Sequence, residues 1–296
     1  MSPGSASGPW VRAMPVVFVL IWSTGFIVAR YGMPHAPPFK FLAVRYGLSI
    51  LCFLPWIWLA GVHWPRGSRQ WTHLAVSGVL MHALYLGGVW AAVKAGMGSG
   101  VSALIVGLQP VLTAVWLSST GGQVSRRQWL GLLAGFAGLA LVVSRKLGAG
   151  GPNDHVDLLN LAFIVGALLS ITVGTLYQKR YVTASDVRTA NVVQLGAALL
   201  VTLPMALLET ETLAWGAELA GAMAWSVLAL TLGGSSLLYL LIQRGAATAV
   251  TSLLYLVPPS TAIMAWLLFD EPITATTLLG TALTAFGVSL VVRPAK

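Results

Sequence analysis

Long apolar runs joined by short polar links make up almost the whole chain. The runs exceed the roughly 10 residues that a membrane β-strand needs, and none alternates between apolar and polar positions, so each predicts a helix. The predicted spans are approximately Met14–Tyr31, Phe41–Gly61, Trp71–Val93, Gly98–Ser118, Trp129–Arg145, Leu158–Gln178, Thr189–Leu208, Ala220–Gln243, Ala247–Phe269 and Thr276–Val292. Because about 20 apolar residues cross a bilayer as a helix, the pattern predicts an all-α membrane protein with ten transmembrane helices.

The second half of the chain repeats the first. A shift of 149 positions without a gap superimposes six glycine pairs and two proline pairs: Gly25 and Gly174, Gly47 and Gly196, Gly67 and Gly216, Gly96 and Gly245, Gly131 and Gly280, Gly138 and Gly287, Pro55 and Pro204, Pro110 and Pro259. Chance gives about 1.7 glycine coincidences for 32 glycines in 296 residues, so an internal repeat is the better explanation. The chain divides into a tail (1–12), a first five-helix repeat (13–147), a linker (148–157) and a second repeat (158–293).

The basic residues predict the orientation of the chain. With a cytoplasmic N-terminus, eleven of the 17 Lys and Arg residues fall at inner span ends, and seven of the eight acidic residues fall at outer ends. The positive-inside rule therefore places both termini in the cytoplasm. Residues Met1–Trp10 contain no Lys or Arg, so a cleaved signal peptide is not expected.

Each repeat has five spans. Because that number is odd, the second repeat enters the membrane from the opposite side, and such inverted repeats are a transporter architecture.

Three segments resemble the EamA-type branch of the drug/metabolite transporter superfamily. They are WSTGF (Trp22–Phe26), the paired runs Gly100–Trp116 and Ala249–Trp266, and the ending FDEPITATTLLGTALTAFGVSLVV from Phe269. The resemblance implies a ten-helix transporter of small metabolites in a bacterial inner (plasma) membrane, with amino-acid export as the favoured activity. The first repeat departs from the pattern, because Gly122 stands where Glu271 stands in the second. Glu271 is therefore expected to have a topological rather than a chemical role.

A site between the two repeats is predicted to bind the substrate. His82 is ionisable and near a span centre, and it shares a helical face with Met81 and Tyr85. A neutral histidine bonded to a neighbouring helix is the alternative. The other candidates are aromatic or polar side chains in mid-span or beside a proline: Trp22, Ser23, Phe26, Gln109, Tyr239 and Tyr255.

Two prolines and one arginine complete the predicted site. Pro110 and Pro259 lie at equivalent mid-span positions and are predicted to kink the fourth and ninth helices, which would free backbone carbonyls for the site. A kink satisfied by ordinary packing is the alternative. Arg45 and Lys94 lie near outer span ends, where snorkelling to the headgroups is the default. Arg45 is also a candidate gate or a contact for a substrate carboxylate.

Small residues predict how the repeats join. Gly131-x-x-x-Gly135 in the fifth span and Gly280-x-x-x-Thr284 in the tenth are faces that allow close helix packing. We expect these two helices to pack on each other within one chain. A homodimer through the same faces is the alternative, and a monomer is favoured.

Composition excludes several classes of protein. Only 8% of the residues are charged, against roughly 25% in soluble domains. The net charge of +9 is spread over short loops, so no nucleic-acid partner is expected. Cys52 is the single cysteine, and no catalytic set, metal-ligand pair or phosphate-binding loop is present, so neither an enzyme nor a metal or cofactor site is expected. The expected partners are a small-molecule substrate and the lipid bilayer.

The favoured function is alternating-access export of amino acids or similar metabolites. No Asp or Glu lies within a span, which favours facilitated diffusion over a carboxylate-based proton antiport. A drug/metabolite:proton antiporter remains an alternative. A sugar-phosphate or nucleotide-sugar carrier is a second alternative, but it would require several basic residues converging in mid-membrane.

Overall fold

The computed structural model describes residues 9–119, 125–147, 154–234, 236–237 and 256–292, and within these ranges it describes the side chains of residues 13–290 except 117 and 119. The helices are α1 Pro9–Gly32, α2 Pro38–Leu59, α3 Ser68–Gly78, α4 Tyr85–Lys94, α5 Ser99–Val106, α6 Gln109–Ser119, α7 Arg126–Lys146, α8 Leu158–Tyr181, α9 Val187–Leu208, α10 Ala217–Trp225, α11 Val257–Phe269 and α12 Ala275–Val292. Two π-helical segments, Val79–Leu84 and Ser226–Gly233, continue α3 into α4 and extend α10. Within these ranges the only β pairing is an isolated bridge between Leu147 and Val156.

The described helices lie in regions that the sequence predicts as spans. Seven are long and apolar enough to cross a membrane: Ala13–Gly32, Pro38–Leu59, Ser68–Lys94, Ser99–Trp116, Arg126–Lys146, Leu158–Tyr181 and Val187–Leu208. Shorter apolar helices lie in the regions predicted for the last three spans, at Ala217–Gly233, Val257–Phe269 and Ala275–Leu290. Large apolar side chains cover the outer surface, and those of Leu158 and Leu208 are more than 80% exposed. An apolar exterior of this kind requires a lipid environment.

Polar residues fix several helix starts at the ends of the bundle. The Ser125 hydroxyl accepts a hydrogen bond from the Gln128 backbone N–H, and the Gln128 side-chain oxygen accepts one from the Ser125 backbone N–H. Asp157 and Asn160 form the same reciprocal arrangement at the start of α8. These capping boxes satisfy backbone donors that the helix itself leaves unpaired, and they mark where the links end and the spans begin.

The two mid-span prolines lie in the first turns of helices rather than in helix interiors. The fourth span is interrupted at Gly107 and Leu108, and Pro110 is the second residue of α6. Pro259 follows Pro258 in the first turn of α11. A proline in the first turn removes no intrahelical hydrogen bond, because that donor has no helical partner in any case. A Cβ on Gly107 would lie 2.7 Å from Pro258 Cγ, so the interruption packs directly on the start of α11.

Helices α7 and α12 pack closely, as predicted from their small residues. A Cβ on Gly138 would lie 2.5 Å from the Gly280 carbonyl oxygen, and one on Gly287 would lie 2.5 Å from that of Gly131. Moving up α7 therefore means moving down α12, so the two helices run antiparallel. The two contacts are also exchanged by the 149-residue shift, because Gly131 corresponds to Gly280 and Gly138 to Gly287. Such reciprocity is what a two-fold axis across the seam produces.

One pair of residues lies where that axis would pass. Thr284 is 149 positions after Gly135, and its hydroxyl donates a 3.4 Å hydrogen bond to the Gly135 carbonyl. A residue that contacts its own repeat counterpart lies near the axis that relates the repeats. The seam between α7 and α12 thus joins the two halves within a single chain.

Several predicted features lie outside the described residues. They are residues 1–8 of the tail, residues 148–153 of the linker, Gly122, Tyr239 and Tyr255.

Candidate functional site

A cavity of about 110 Å³ lies between the two halves. It is lined by Trp22, Gly25, Phe26, Arg45, Met81, His82, Tyr85, Leu86, Val89, Trp90, Ile171, Asn191, Leu230 and Thr231. The first ten residues come from α1, α2, α4 and the first π-helical segment, and the last four from α8, α9 and the second π-helical segment. Most of the lining is apolar or aromatic, with a few polar groups, as in binding sites for small organic ligands.

Both π-helical segments contribute to this cavity. The 149-residue shift carries the first, Val79–Leu84, onto positions 228–233, which lie within the second, Ser226–Gly233. It also carries His82 onto Thr231, and both line the cavity. π-helical turns are rare and often mark functional sites, because the extra residue widens the turn and re-aims its side chains. Their occurrence at matching positions of the two repeats was not predicted from the sequence.

Polar contacts at and beside the cavity follow a reciprocal pattern. Arg45 donates to the Thr231 hydroxyl from Nη2 at 3.2 Å and from Nε at 3.4 Å. On the other side, the Gln194 side chain approaches the His82 ring, and its Nε2 donates to Ser77 Oγ at 2.9 Å. Gln194 is the repeat counterpart of Arg45, as Thr231 is of His82. The two sides of the cavity therefore share a geometry but differ in chemistry.

Arg45 does not snorkel, so the default expectation for this residue was wrong. Its side chain is only 7% exposed and lines the cavity, about 10 Å along α2 from the start of the helix. The guanidinium carbon lies 5.5 Å from the centre of the Trp90 ring, a cation–π contact. The packing of α2 against α9 and the second π-helical segment turns Arg45 inward.

The predicted substrate-binding residues divide into those that line the cavity, those that lie elsewhere in the bundle and those outside the described residues. Trp22, Phe26, Met81, His82 and Tyr85 line the cavity together with Arg45.

Tyr46, a neighbour of Arg45, donates a 2.8 Å hydrogen bond to the His82 carbonyl and so holds the first π-helical segment in place.

Ser23 and Gln109 do not line the cavity. The Ser23 hydroxyl is fully buried and donates to the Val19 carbonyl of its own helix at 2.7 Å. Gln109 donates to the Thr175 hydroxyl at 2.8 Å, which ties α6 to α8. Both side chains satisfy their hydrogen bonds elsewhere, so mid-span polarity alone does not identify a lining residue. The two predicted tyrosines, Tyr239 and Tyr255, lie outside the described residues.

Thr231 and Asn191 line the cavity and were not among the predicted site residues. For Thr231 the signal was present in the sequence, because the repeat shift places it on His82. For Asn191 no comparable signal exists, because its counterpart is Leu42. In the described ranges no three His, Cys, Asp or Glu side chains are placed to hold a metal ion.

Carboxylates of the second half cap helices of the first half at one end of the bundle, called here the acidic end. Glu209 accepts from the Phe39 and Lys40 backbone N–H groups, at 2.9 and 2.8 Å, and so caps α2. Glu271 accepts from the Ser99 and Gly100 N–H groups, at 2.9 and 3.3 Å, and caps α5. A carboxylate at a helix N-terminus is favoured by the unpaired donors and the helix dipole.

Glu271 is therefore a structural element of the interface between the halves, a role that its place in a single-copy acidic turn did not predict. Its side chain is 7% exposed, and burial raises the pKa of its carboxyl group above the ordinary glutamate value. The Ser99 N–H opposes that rise, nearby Asp154 adds to it, and Lys146 opposes it. Lys146 and Asp154 pair at 2.5 Å beside it.

Further contacts join the halves at the acidic end. Lys94 pairs with Glu211 at 2.5 Å and donates to the Met33 carbonyl at 3.1 Å, so it is held by protein rather than by headgroups. His35 lies 2.6 Å from the Glu218 carboxylate. Together with the two helix caps, these contacts tie the two halves to each other at the acidic end.

The model of the EamA-like transporter family matches residues 12–144 and again residues 158–293. The chain belongs to the EamA-like transporter family. This confirms the resemblance seen in the sequence, and the two matched ranges carry the two sides of the cavity. The seam glycines and the π-helical segments of this EamA-like transporter all lie inside the matched ranges.

Relatives of this EamA-like transporter come from bacteria and archaea. An uncharacterized transporter of Archaeoglobus fulgidus is 26% identical over 92% of this chain and 93% of its own length. The uncharacterized transporter YvbV of Bacillus subtilis is 25% identical over 94% of this chain and 90% of its own. A Salmonella typhimurium protein named probable amino-acid metabolite efflux pump is 22% identical over 66% of this chain and 62% of its own.

A solved crystal structure shares the fold. It superimposes with a TM-score of 0.66 and covers 94% of both chains at 17% sequence identity. At that identity the likeness concerns the fold alone.

Proposed function

We propose that this chain is a carrier that exports amino acids or similar small metabolites across the bacterial inner membrane by alternating access. In this proposal ten helices form two inverted five-helix repeats, with both termini in the cytoplasm. The observation that carries the proposal is the cavity between the halves, lined from both sides by repeat-equivalent π-helical segments. A site at the interface of inverted repeats is the arrangement that alternating access requires.

The reciprocal contacts support the inverted relation. The antiparallel α7–α12 seam and the exchanged pairs around the cavity are both expected when one half is rotated onto the other about an axis in the membrane plane. Exchanging the conformations of the halves would then close one entrance and open the other. The caps at the acidic end would have to break in the state that opens there, so they are candidate gate contacts.

The substrate class rests on two kinds of support. The name of the Salmonella relative refers to efflux of an amino-acid metabolite. The mostly apolar lining with a few polar groups suits a small amphipathic solute.

The relatives are named as transporters, which favours a carrier over an enzyme.

The described part of the cavity lining contains no carboxylate, which favours facilitated diffusion over carboxylate-based proton antiport. His82 is the residue that would serve a proton antiporter, the first alternative. A carrier for sugar phosphates or nucleotide sugars, the second alternative, would need several cations around the ligand, whereas Arg45 is the only Lys or Arg in the described lining. The small faces of α7 and α12 are used within the chain, which favours a monomer.

The test is efflux of labelled amino acids from proteoliposomes, compared with protein-free liposomes, over a panel of apolar, polar and charged amino acids. We expect efflux of at least one amino acid above the protein-free rate, and no efflux of any would refute the proposal. The topology is tested separately. Because Cys52 is the only cysteine, a Cys52→Ala background allows single cysteines at each terminus to be labelled from one side. Labelling of the termini from opposite sides would refute the ten-helix arrangement.

A further inference from the structure

The positive charge of Arg45 has no carboxylate counter-ion among the described residues. All eight Asp and Glu side chains lie in the described ranges. Seven are engaged in helix caps or in pairs with residues such as Lys94, Lys146 and Arg188, Asp270 is exposed at the end of α11, and none is a partner of Arg45. A buried charge without a partner is costly at membrane depth, so an anion from outside the chain would be strongly favoured there.

Two hydrogen-bond donors beside the cavity are also unmatched. Arg45 Nη1 and Trp90 Nε1 are buried and have no hydrogen-bond partner among the described residues. Both side chains line the cavity, at 7% and 2% exposure, and they contact each other through the cation–π pair. Unpaired buried donors are uncommon in proteins, and a pair of them in a cavity indicates a ligand that supplies acceptors.

The orientation of Arg45 is fixed by Thr231. The Thr231 hydroxyl donates to the Ser226 carbonyl at 2.9 Å and accepts from Nε and Nη2 of Arg45. One edge of the guanidinium is therefore held by protein, and Nη1 remains for another acceptor. Guanidinium groups held in this way bind planar carboxylates well.

We propose that the cavity is a monocarboxylate site in which the ligand carboxylate accepts hydrogen bonds from Arg45 Nη1 and Trp90 Nε1. The apolar part of the ligand lies against side chains such as Phe26, Leu86 and Ile171. One cation in the described lining neutralises one negative charge, so a dianion would keep an unpaired charge in an apolar cavity. This inference rests on the proposed function and narrows its substrate class to solutes with a single free carboxylate.

The first experiment uses the unaltered protein. The purified full chain in detergent is titrated calorimetrically with L-leucine, with 4-methylpentanoate, which lacks the amine, and with L-leucinamide, which lacks the carboxylate. We expect the two carboxylates to bind and the amide to bind about tenfold more weakly or worse. Equal binding of all three would overturn the inference, as would binding of chloride alone, which would identify an inorganic-anion site.

Variants then assign the donors. Arg45→Gln should weaken leucine binding by about tenfold or more, and Arg45→Lys should recover only part of it because an ammonium lacks the guanidinium fork. Trp90→Phe removes the Nε1 donor and should weaken binding by a few-fold. The matched controls are Arg126→Gln and Trp58→Phe, which alter exposed residues away from the cavity. Size-exclusion profiles establish that each variant is folded, and unchanged affinity in a folded Arg45→Gln variant would overturn the assignment.

The two proposals fail in different ways. Carboxylate-selective, Arg45-dependent binding without flux of any solute in proteoliposomes would retain the site and refute the carrier. Flux that is equally fast for leucine and leucinamide would retain the carrier and refute the carboxylate site.

Discussion

The seam between α7 and α12 leaves no space for a methyl group at Gly287, and Gly287→Ala tests how much that closeness matters. The added Cβ would lie 2.5 Å from both the Gly131 oxygen and the Gly135 nitrogen, whereas ordinary contacts of a Cβ begin at 3.4 Å. Both atoms belong to the backbone of α7, so no side chain can rotate away. The two helices would have to separate by about 1 Å, which weakens the dispersion contacts along the seam.

The expected loss of stability follows from two opposing contributions. Overpacking in an interior costs about 1–3 kcal/mol, and contact with rigid backbone places this site near 3 kcal/mol. Replacing glycine by alanine within a helix stabilises the helix by about 1 kcal/mol, because alanine has the higher helix propensity. The net expectation is a decrease of about 2 kcal/mol in the free energy of unfolding.

The control is Gly47→Ala, because a Cβ at Gly47 in the interior of α2 has no neighbour within 4 Å. That variant should be unchanged or more stable by up to about 1 kcal/mol. The measurement is unfolding in mixed micelles of dodecylmaltoside and sodium dodecylsulfate, followed by circular dichroism. Equal stability of the two variants would refute the argument, because the sequence change is the same and only the surroundings differ.

Three further predictions concern other contacts. Because burial raises the pKa of Glu271, this carboxyl group should contribute most to the stability of the fold below the ordinary glutamate pKa, and that contribution should be lost as the pH rises through the raised value; Glu271→Gln should remove this part of the pH dependence of thermal unfolding. Thr231→Val leaves Nε and Nη2 of Arg45 without an acceptor and should lower the free energy of unfolding by about 1–3 kcal/mol, whereas Thr231→Ser should retain stability, and equal stability of the two variants would contradict this role. Pro110→Ala should change stability by less than about 1 kcal/mol and leave efflux near the unaltered rate, because Pro110 lies in a first turn; a large loss of efflux in a folded variant would instead support the kinked-helix interpretation.

Much of the fold could be predicted because it follows from patterns in the sequence. Apolar length places the helices, and the period of 149 residues identifies the halves. The small faces beginning at Gly131 and Gly280 predicted the seam, since glycine leaves the only surface on which two backbones can approach so closely. Within the site, His82 and its neighbours Met81 and Tyr85 were found because helical spacing fixes which residues share a face.

The features that could not be predicted depend on how helices turn against one another. Arg45 was expected to reach the headgroups, because a long basic side chain near a span end can do so in an isolated helix. The direction of the Arg45 side chain follows from the helices that pack against α2, and the local sequence does not show which helices these are. The π-helical turns add a residue to the helix and shift every side chain after it. Glu271 caps a helix 171 to 172 positions away, and such a long-range partner leaves no trace in local composition.

The exchange of Arg45 for Gln194 between matching positions has an evolutionary consequence. A duplicated gene with identical halves would have placed two guanidiniums or two amides at these matching positions. Divergence at one codon pair therefore leaves a single Lys or Arg in the described lining of the cavity. Under the monocarboxylate proposal, Gln194→Arg would add a second cation next to the cavity, beside His82, and would be a short mutational route toward a divalent ligand.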